Sequence, residues 1–425
     1  MENTAKKTGA LNLGAKGFVI IILAFVSCYV YSALTSDSLN ITIGVFGEMG
    51  LDTNALYAMS SIATVCGIIG SIIFGKLMTL AGAGRMWAIC MILTGVFAFI
   101  WSNAHSVAIY AVGYLVCYTL TLACAMLLSA QVIGNWFPRK RGAAMGILTA
   151  GYPLSAATTT TICGNIVGRT GGVSAYYIML AIIAIVVGLI ILAFVRDFPE
   201  EKGCFPDNDK DFDFEAAKKE HEENLKYLET SKWTVGKCLA TGRMWILWIA
   251  VGVTGFLSMG IMSNFVGKFT EQGYQMNEIF AMLGIAGVVA IPGSVFVGWF
   301  DVKFGTKAAG ILVNAMAVIA VVFNLTGVHA LHYVSLPLLA VMLGGSSNMM
   351  VSCTSAIWGR YDFRSAFRVI QPLNSIMTGI GITVVGIVGT NFNYMTAYKV
   401  MAIMAVIGLI AMICLKVEKI DEDVR

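Results

Sequence analysis

Twelve long apolar runs, each set off from the next by a polar or glycine-rich connector, constrain this chain more than any other feature. They cover 17–45, 54–78, 86–104, 106–133, 142–166 and 174–195, then 243–267, 277–299, 308–328, 335–357, 366–389 and 395–415. A helix crosses the hydrocarbon core of a bilayer with about 20 mostly apolar residues, so each run is long enough for a span. Composition agrees. Of 425 residues, 58% are hydrophobic and only 12% charged, where a soluble domain carries about 25% charge. Too little polar surface remains to coat a water-soluble fold, which excludes a soluble enzyme, a disordered protein and a nucleic-acid binder. The expected fold class is an all-α polytopic membrane protein with twelve transmembrane helices in two six-helix halves. Residues 1–195 form the N-terminal half, 196–242 a cytoplasmic linker and 243–425 the C-terminal half.

The basic residues test this arrangement, because Lys and Arg concentrate on the cytoplasmic side of short connectors. Placing the twelve runs as spans puts 25 of the 28 Lys and Arg on the side of the two termini, leaving Arg169, Lys268 and Lys399 opposite. The sequence therefore predicts a multi-pass protein of the cell (plasma) membrane with both termini cytoplasmic. The first apolar run outlasts a signal-peptide core and reads as a retained span. Within the linker, 212–229 alternates acids and bases at helical spacing, the pattern of a solvated tether. The ten cysteines are scattered, without C-x-x-C or Cys/His spacing, and read as small core residues rather than metal or redox groups.

The halves echo each other. Gly75 and Gly82 stand seven apart ahead of Arg85, and Gly298 and Gly305 stand seven apart ahead of Lys307. Basic clusters follow the fourth and tenth runs, at Arg139, Lys140 and Arg141 and at Arg360, Arg364 and Arg368. Repeated halves around a central cavity are how secondary transporters are commonly built. With no G-x-x-x-x-G-K-[ST] phosphate loop, nothing points to ATP use.

These connectors resemble the loop signature of the major facilitator superfamily. Lys303, Gly305 and Lys307 fit it, Asp301 stands one place early, and Thr79 and Val302 occupy the acidic position. A second block is more specific: Gly134, Asn135, Trp136, Phe137, Pro138, the basic Arg139 to Arg141, Gly142 and Gly146, then Gly151 and Tyr152. It resembles the corresponding loop and fifth helix of the oxalate/formate antiporter family, and is similar to the monocarboxylate carriers. The resemblance implies the major facilitator fold and alternating access. It also implies two basic residues, in spans 8 and 11, that hold a dicarboxylate. The matching positions here are Ser294 and Asn374, and Ser347 and Gln371 stand where aromatics are expected. A doubly charged anion without paired cations would face a large desolvation cost, so oxalate is disfavoured.

Candidate functional residues follow from polarity inside the spans. Charge within a bilayer costs about 2.5–3.5 kcal/mol on insertion scales and often marks a pathway. Asp37 lies about 30 Å along the first helix at ~1.5 Å per residue; it is the proton-coupling candidate, or else an interfacial acid. Tyr31, Tyr118 and Tyr152, with Ser294, Ser347, Gln371 and Asn374, are the substrate-binding candidates, against a reading as interhelix packing and bonding. Arg139, Arg141 and Arg368 are candidates for a cytoplasmic gate, or else pair with headgroups. Gly142 and Gly146 have the small-xxx-small spacing of close helix packing, and Pro153 permits a kink beside Tyr152. Lys268 and Lys399 are expected to mark the interface, and His105, His329 and His332 to lie in solvated outer loops.

The function expected is secondary transport of a small organic solute, most readily a monocarboxylate-type anion by exchange or proton symport. A neutral or weakly basic solute moved with a proton is the alternative, and a transporter-like solute receptor a further one. A membrane enzyme would need a cluster of acids and histidines where only isolated Asp37 stands. The expected partners are the solute, the lipid bilayer and a co-transported proton or counter-anion; no cofactor, metal or nucleic acid is called for.

Overall fold

The computed structural model describes residues 13–137, 141–216, 219, 222–223 and 233–420. Helices dominate it. The first run folds as α1 (Ala15–Ser32), a wider π-helical turn (Ala33–Asp37) and α2 (Leu39–Glu48). A π turn frees carbonyls from the regular ladder, and here tyrosine hydroxyls take them: Tyr176 donates to the Ala33 carbonyl at 3.2 Å and Tyr114 to that of Thr35 at 3.0 Å. Next come α3 (Thr53–Ala81), α4 (Ala83–Trp101) and α5 (Val107–Leu122). A second π turn (Ala123–Leu128) leads into α6 (Ser129–Trp136).

The run expected at 142–166 splits into α7 (Arg141–Thr149) and α8 (Gly151–Thr170). Pro153 explains the split, since its ring clashes with the carbonyl four residues earlier, which is that of Thr149. After α9 (Ser174–Phe194) and the described part of the linker come α10 (Val235–Ala240), α11 (Gly242–Ser263) and α12 (Phe265–Glu271). The chain ends with α13 (Met276–Phe304), α14 (Thr306–Leu325), α15 (His329–Asn391) and α16 (Tyr394–Cys414). The α15 run is interrupted at Gly359, whose φ of 73° and ψ of 177° are not helical.

Among the described residues, ten helices are long and apolar enough to cross a membrane, and a pair bent by 43°, His329–Ser346 with Asn348–Gly359, makes an eleventh. The twelfth expected span is α7 with α8, whose Ser155 and Thr158 to Thr161 make it too polar to be counted with the others. All twelve apolar runs are thus helical. Ile72, Leu189, Val295 and Ile403 leave large apolar side chains exposed on these helices, as lipid-facing surfaces do.

The chain forms two compact units. The first comprises Met1–Thr35, Cys66–Ser155 and Asn165–Ala216, and the second Ser36–Val65, Ala156–Gly164 and Ala217–Arg425. Within the first, α4 packs along α9 through glycines on both sides. A Cβ at Gly95 would stand 2.6 Å from the Ala181 carbonyl oxygen, and one at Gly188 would stand 3.0 Å from that of Ala88. Small residues that let backbones approach this closely are the usual device of membrane helix pairs. An aromatic column along α5 fills the same unit: Tyr110, Tyr114 and Tyr118 recur every fourth residue, and Trp101 stacks on Tyr177 at 4.3 Å.

In the second unit α11, α13, α14 and α16 pack against α15. Gly260 and Gly344 do there what Gly95 does in the first, facing the carbonyls of Gly381 and Ala290 at 3.1 and 2.6 Å from an added Cβ. The part of α3 that belongs to this unit is tied in by polar bonds. Ser61 meets Thr383 at 2.8 Å, and the Asn391 amide donates to the Asn54 side chain at 2.9 Å. All ten cysteines are free, and Cys28, Cys90, Cys117, Cys124, Cys163, Cys238 and Cys353 are buried.

Candidate functional site

Three of the expected substrate-binding residues meet in the first unit. Tyr31, on the last turn of α1, lies edge-on to Tyr118 at 5.9 Å and to Tyr152 at 6.0 Å between ring centroids. Each position has a local cause. Tyr31 precedes the π turn, Tyr118 continues the four-residue repeat of α5, and Tyr152 opens α8 just after the break that Pro153 imposes. Tyr118 is buried, while Tyr31 and Tyr152 are half-buried. A side-chain hydrogen bond joins Tyr31 to Tyr118, another joins Tyr152 to Cys28, and the Tyr152 hydroxyl donates to Met126 Sδ at 3.4 Å. Edge-to-face rings with hydroxyls at their tips give a surface that is apolar in body and hydrogen-bonding at points.

The second unit carries the remaining described candidates. Asn348 Nδ2 donates to Ser294 Oγ at 3.0 Å, bridging α13 and α15. The Thr378 hydroxyl donates to the Asn374 carbonyl at 2.9 Å, and Gly255 on α11 leaves room for the Asn374 amide, whose Oδ1 would lie 3.2 Å from an added Cβ. Gln371 is half-buried one turn earlier, and Arg368 is exposed. Arg139 lies outside the described residues, as do the side chains of Arg141 and Ser347.

Asp37 is buried, at the end of the π turn. Ser36 Oγ donates to its Oδ1 at 3.2 Å, while its backbone carbonyl accepts the Thr160 hydroxyl at 3.0 Å and Asn40 Nδ2 at 3.1 Å. Beside it stands a feature the sequence does not announce. Helices α11 and α12 are separated by a break at Asn264, whose φ of −123° and ψ of 13° interrupt the ladder. Asn40 fills that break: its Nδ2 donates to the Met262 carbonyl, and its Oδ1 accepts the Val266 backbone N–H at 3.1 Å.

Two expectations are corrected. Lys268, read as an interface marker, is only 2% exposed, and its Nζ donates to Asn324 Oδ1 at 2.6 Å. His332, read as a solvated loop residue, is buried and bonded to the Tyr274 hydroxyl at 2.7 Å. The physical reason is the same for both. A tight packing of α12 and α14 with the start of α15 covers residues that lie near helix ends in sequence. His105, His329 and Lys399 are exposed, as expected.

The block from Gly134 to Trp136 has a structural job of its own. Asn135 Nδ2 donates to the Asp197 carbonyl at 3.2 Å and Trp136 Nε1 to that of Arg196 at 2.9 Å. The Asp197 carboxylate in turn accepts the backbone N–H groups of Ala83 and Gly84, at 3.0 and 2.6 Å, at the start of α4. A carboxylate there meets the unpaired amides and positive end of the helix. Gly82 precedes them with φ 90° and ψ 148°, and Gly305 at the repeated position has φ 91° and ψ 155°. The echo between the halves is therefore an echo of backbone shape.

The family model described as Major Facilitator Superfamily matches residues 18–366. The chain belongs to that superfamily. Among curated proteins, the oxalate:formate antiporter of Oxalobacter formigenes is 24% identical over 291 residues. That match takes in 66% of this chain and 63% of the antiporter, so this chain spans less than two thirds of that relative's length. Among solved structures, a bacterial homolog of the human lysosomal transporter Spinster, in an inward-facing and unoccupied conformation, superposes with a TM-score of 0.66. Its sequence identity is 13%, and 95% of this chain and 96% of that one are covered. The nucleoside transporter NupG superposes with a TM-score of 0.66 at 12% identity, over 94% of this chain and 99% of its own. At such identities the likeness shows the fold alone. Membership of the superfamily makes this protein a multi-pass membrane protein.

Proposed function

We propose that this major facilitator transporter carries a small organic anion of the monocarboxylate type, by exchange against another anion or together with a proton. The observation that carries this reading is the neutrality of its polar candidates. Ser294 and Asn374 stand where the resemblance implies cations, and the Tyr31, Tyr118 and Tyr152 cluster offers hydroxyl donors on apolar rings. Hydroxyls and amides can hold one carboxylate against an otherwise apolar solute, whereas two buried negative charges need opposite charges near them. Substrate contacts come from those tyrosines and from Ser294, Ser347, Gln371 and Asn374. Residues 1–195 and 243–425 exchange access by rocking, with 196–242 as tether, and Arg139, Arg141 and Arg368 act as the cytoplasmic gate. The protein sits in the plasma membrane with both termini cytoplasmic, a sidedness that tag accessibility in intact cells checks.

The test is uptake into proteoliposomes under an imposed pH or counter-substrate gradient, with a panel of monocarboxylates, dicarboxylates, amines and neutral solutes. Gradient-dependent uptake of monocarboxylates over dicarboxylates is expected; flux of none of the organic acids under either gradient overturns the reading. A second reading, proton-coupled transport of a neutral or weakly basic compound, is favoured by one observation, the burial of Asp37. Asp37→Asn separates coupling from binding: pH-driven accumulation is lost while counterflow persists. If both persist, Asp37 is a structural acid. A solute receptor is distinguished by deleting 207–230, which transport survives and signalling does not.

A further inference from the structure

Lys268 is one of the largest side chains that the fold buries completely, and among the described residues no carboxylate pairs with its charge. From α14, Asn324 Oδ1 accepts the Nζ at 2.6 Å. That amide cannot turn away, because its Nδ2 is committed to the Ala320 carbonyl at 2.8 Å and to Ser335 Oγ at 2.7 Å. From α12 itself, the Phe269 ring centroid lies 3.7 Å from Nζ; from α16, that of Tyr398 lies at 4.9 Å, with Tyr394 a turn earlier. Glu271 points elsewhere, its Oε2 accepting the Tyr394 backbone N–H at 2.8 Å. Glu278, at the start of α13, caps the Gln275 N–H at 3.1 Å.

From α15, His332 faces the same pocket, and a charge on it would repel one on Lys268. Nε2 lies 2.8 Å from the Thr326 carbonyl, which only accepts, so Nε2 carries a proton, and Nδ1 lies 2.7 Å from the Tyr274 hydroxyl. Burial, and Lys268 beside it, push the histidine's proton affinity down, toward the neutral ring. The exposed His329 stacks on Tyr274 at 4.5 Å behind it. Phe265, Val266, Phe269, Leu336 and Met401 belong to the buried apolar core of this unit.

An ammonium held by one amide oxygen and two ring faces has given up most of its hydration without a counter-charge, so the packed arrangement disfavours its proton. Any movement of α12 that lets the amine reach water restores that affinity. Helix α12 is also the element that Asn40 clamps, through the Val266 N–H, to α2. We propose that Lys268 is a proton-binding site that controls the release of α12 from α2. The junction is locked while the amine is dry, and it takes up one proton from solvent when α12 swings free. This inference does not rest on the substrate reading or on Asp37.

The sign follows from linkage. Burial pushes the Lys268 amine down to about 7, against an ordinary value of about 10.4. Between these limits the released arrangement holds one more proton than the packed one. Release then becomes about tenfold rarer for each unit rise in pH, and is level below about 7.

The experiment is hydrogen exchange of the α12 amides, Val266–Glu271, in the purified full-length protein between pH 6 and 9, corrected for the intrinsic pH dependence of exchange. The opening equilibrium is expected to fall about fiftyfold from pH 7 to 9 and only about twofold from 6 to 7. In Lys268→Met, which fills the same volume without titrating, α12 is expected to stay protected at every pH. In Lys268→Arg, which stays charged, opening is frequent and equally flat. Asp37→Asn keeps the wild-type slope, so a failed coupling role for Asp37 leaves this result intact. A flat wild-type profile overturns the proposal without recourse to any variant, as does an unchanged slope in Lys268→Met.

Discussion

Asp197 Oδ1 accepts the backbone N–H of Gly84 at 2.6 Å, across 113 residues of chain. With the Ala83 N–H on Oδ2, this one carboxylate caps the start of α4 and fastens the end of α9 to it. Asp197→Ala leaves two amides at a helix N-terminus without their partner. Losing such a cap costs about 1–2 kcal/mol. A lower unfolding temperature in detergent is the expected result. Asp197→Asn keeps an acceptor oxygen and falls between the two.

The twin glycines give a graded comparison. Gly82 and Gly305 share a left-handed φ near 90°, which costs an L-residue about 1–2 kcal/mol. Their surroundings differ: a Cβ at Gly82 would lie 2.5 Å from Asp197 Oδ2, whereas Gly305 has open space. Gly82→Ala is therefore expected to destabilise more than Gly305→Ala, because it pays the strain and disturbs the cap as well. Paired thermal melts read the difference, and equal losses would mean that the carboxylate yields without cost.

The twelve apolar runs and the repeated glycines were legible because hydropathy and backbone permissiveness act locally. Pro153 beside Tyr152 was legible for the same reason, although the break falls at Ala150, ahead of the proline, where the ring meets the Thr149 carbonyl. What escaped were facts of long-range contact. Asp197 reads as the first acid of a charged linker, and only the fold brings it to Gly84. Lys268 and His332 sit near helix ends, where sequence favours solvent, yet other helices close over them. Asn40 is one polar residue in an apolar helix, and its role exists only because α11 breaks at Asn264. For the candidate site, the four-residue repeat puts Tyr118 on the same face of α5 as Tyr110 and Tyr114. The meeting of Tyr31 with Tyr152 depended on a π turn and a helix break, which no residue count locates.

Cysteine chemistry offers a check on the linker side. Cys238 on α10 is buried among Met244, Ile357 and Trp358. Burial, with the nearby Asp362 adding to it, pushes its thiol up to about 11. Only the thiolate reacts with alkylating reagents, so at pH 7.5 about one molecule in a few thousand is reactive even before access is considered. Cys204 is half-buried in the linker. Mass-spectrometric labelling should modify Cys204 at least a hundredfold faster than Cys238, with the Cys238 rate climbing about tenfold per pH unit toward 10.

Asn40 supplies the most local prediction about movement. Its side chain satisfies both the Met262 carbonyl and the Val266 N–H, the two groups orphaned by the break between α11 and α12. In Asn40→Ala both lose their partner inside a buried region, at about 1–3 kcal/mol for each group left unsatisfied. The cost falls on the arrangement in which α2 and α12 are packed, not on either helix alone. Exchange at the Val266 amide should therefore rise tenfold or more at constant pH, while α4 amides in the other unit keep their protection. If Val266 stays protected, another group has replaced Asn40 and the clamp is not what holds the break. In a transport assay the same variant should speed exchange of a bound solute wherever release of α12 limits the cycle. It should leave the pH dependence carried by Lys268 in place, because the amine still loses its water when the helices close.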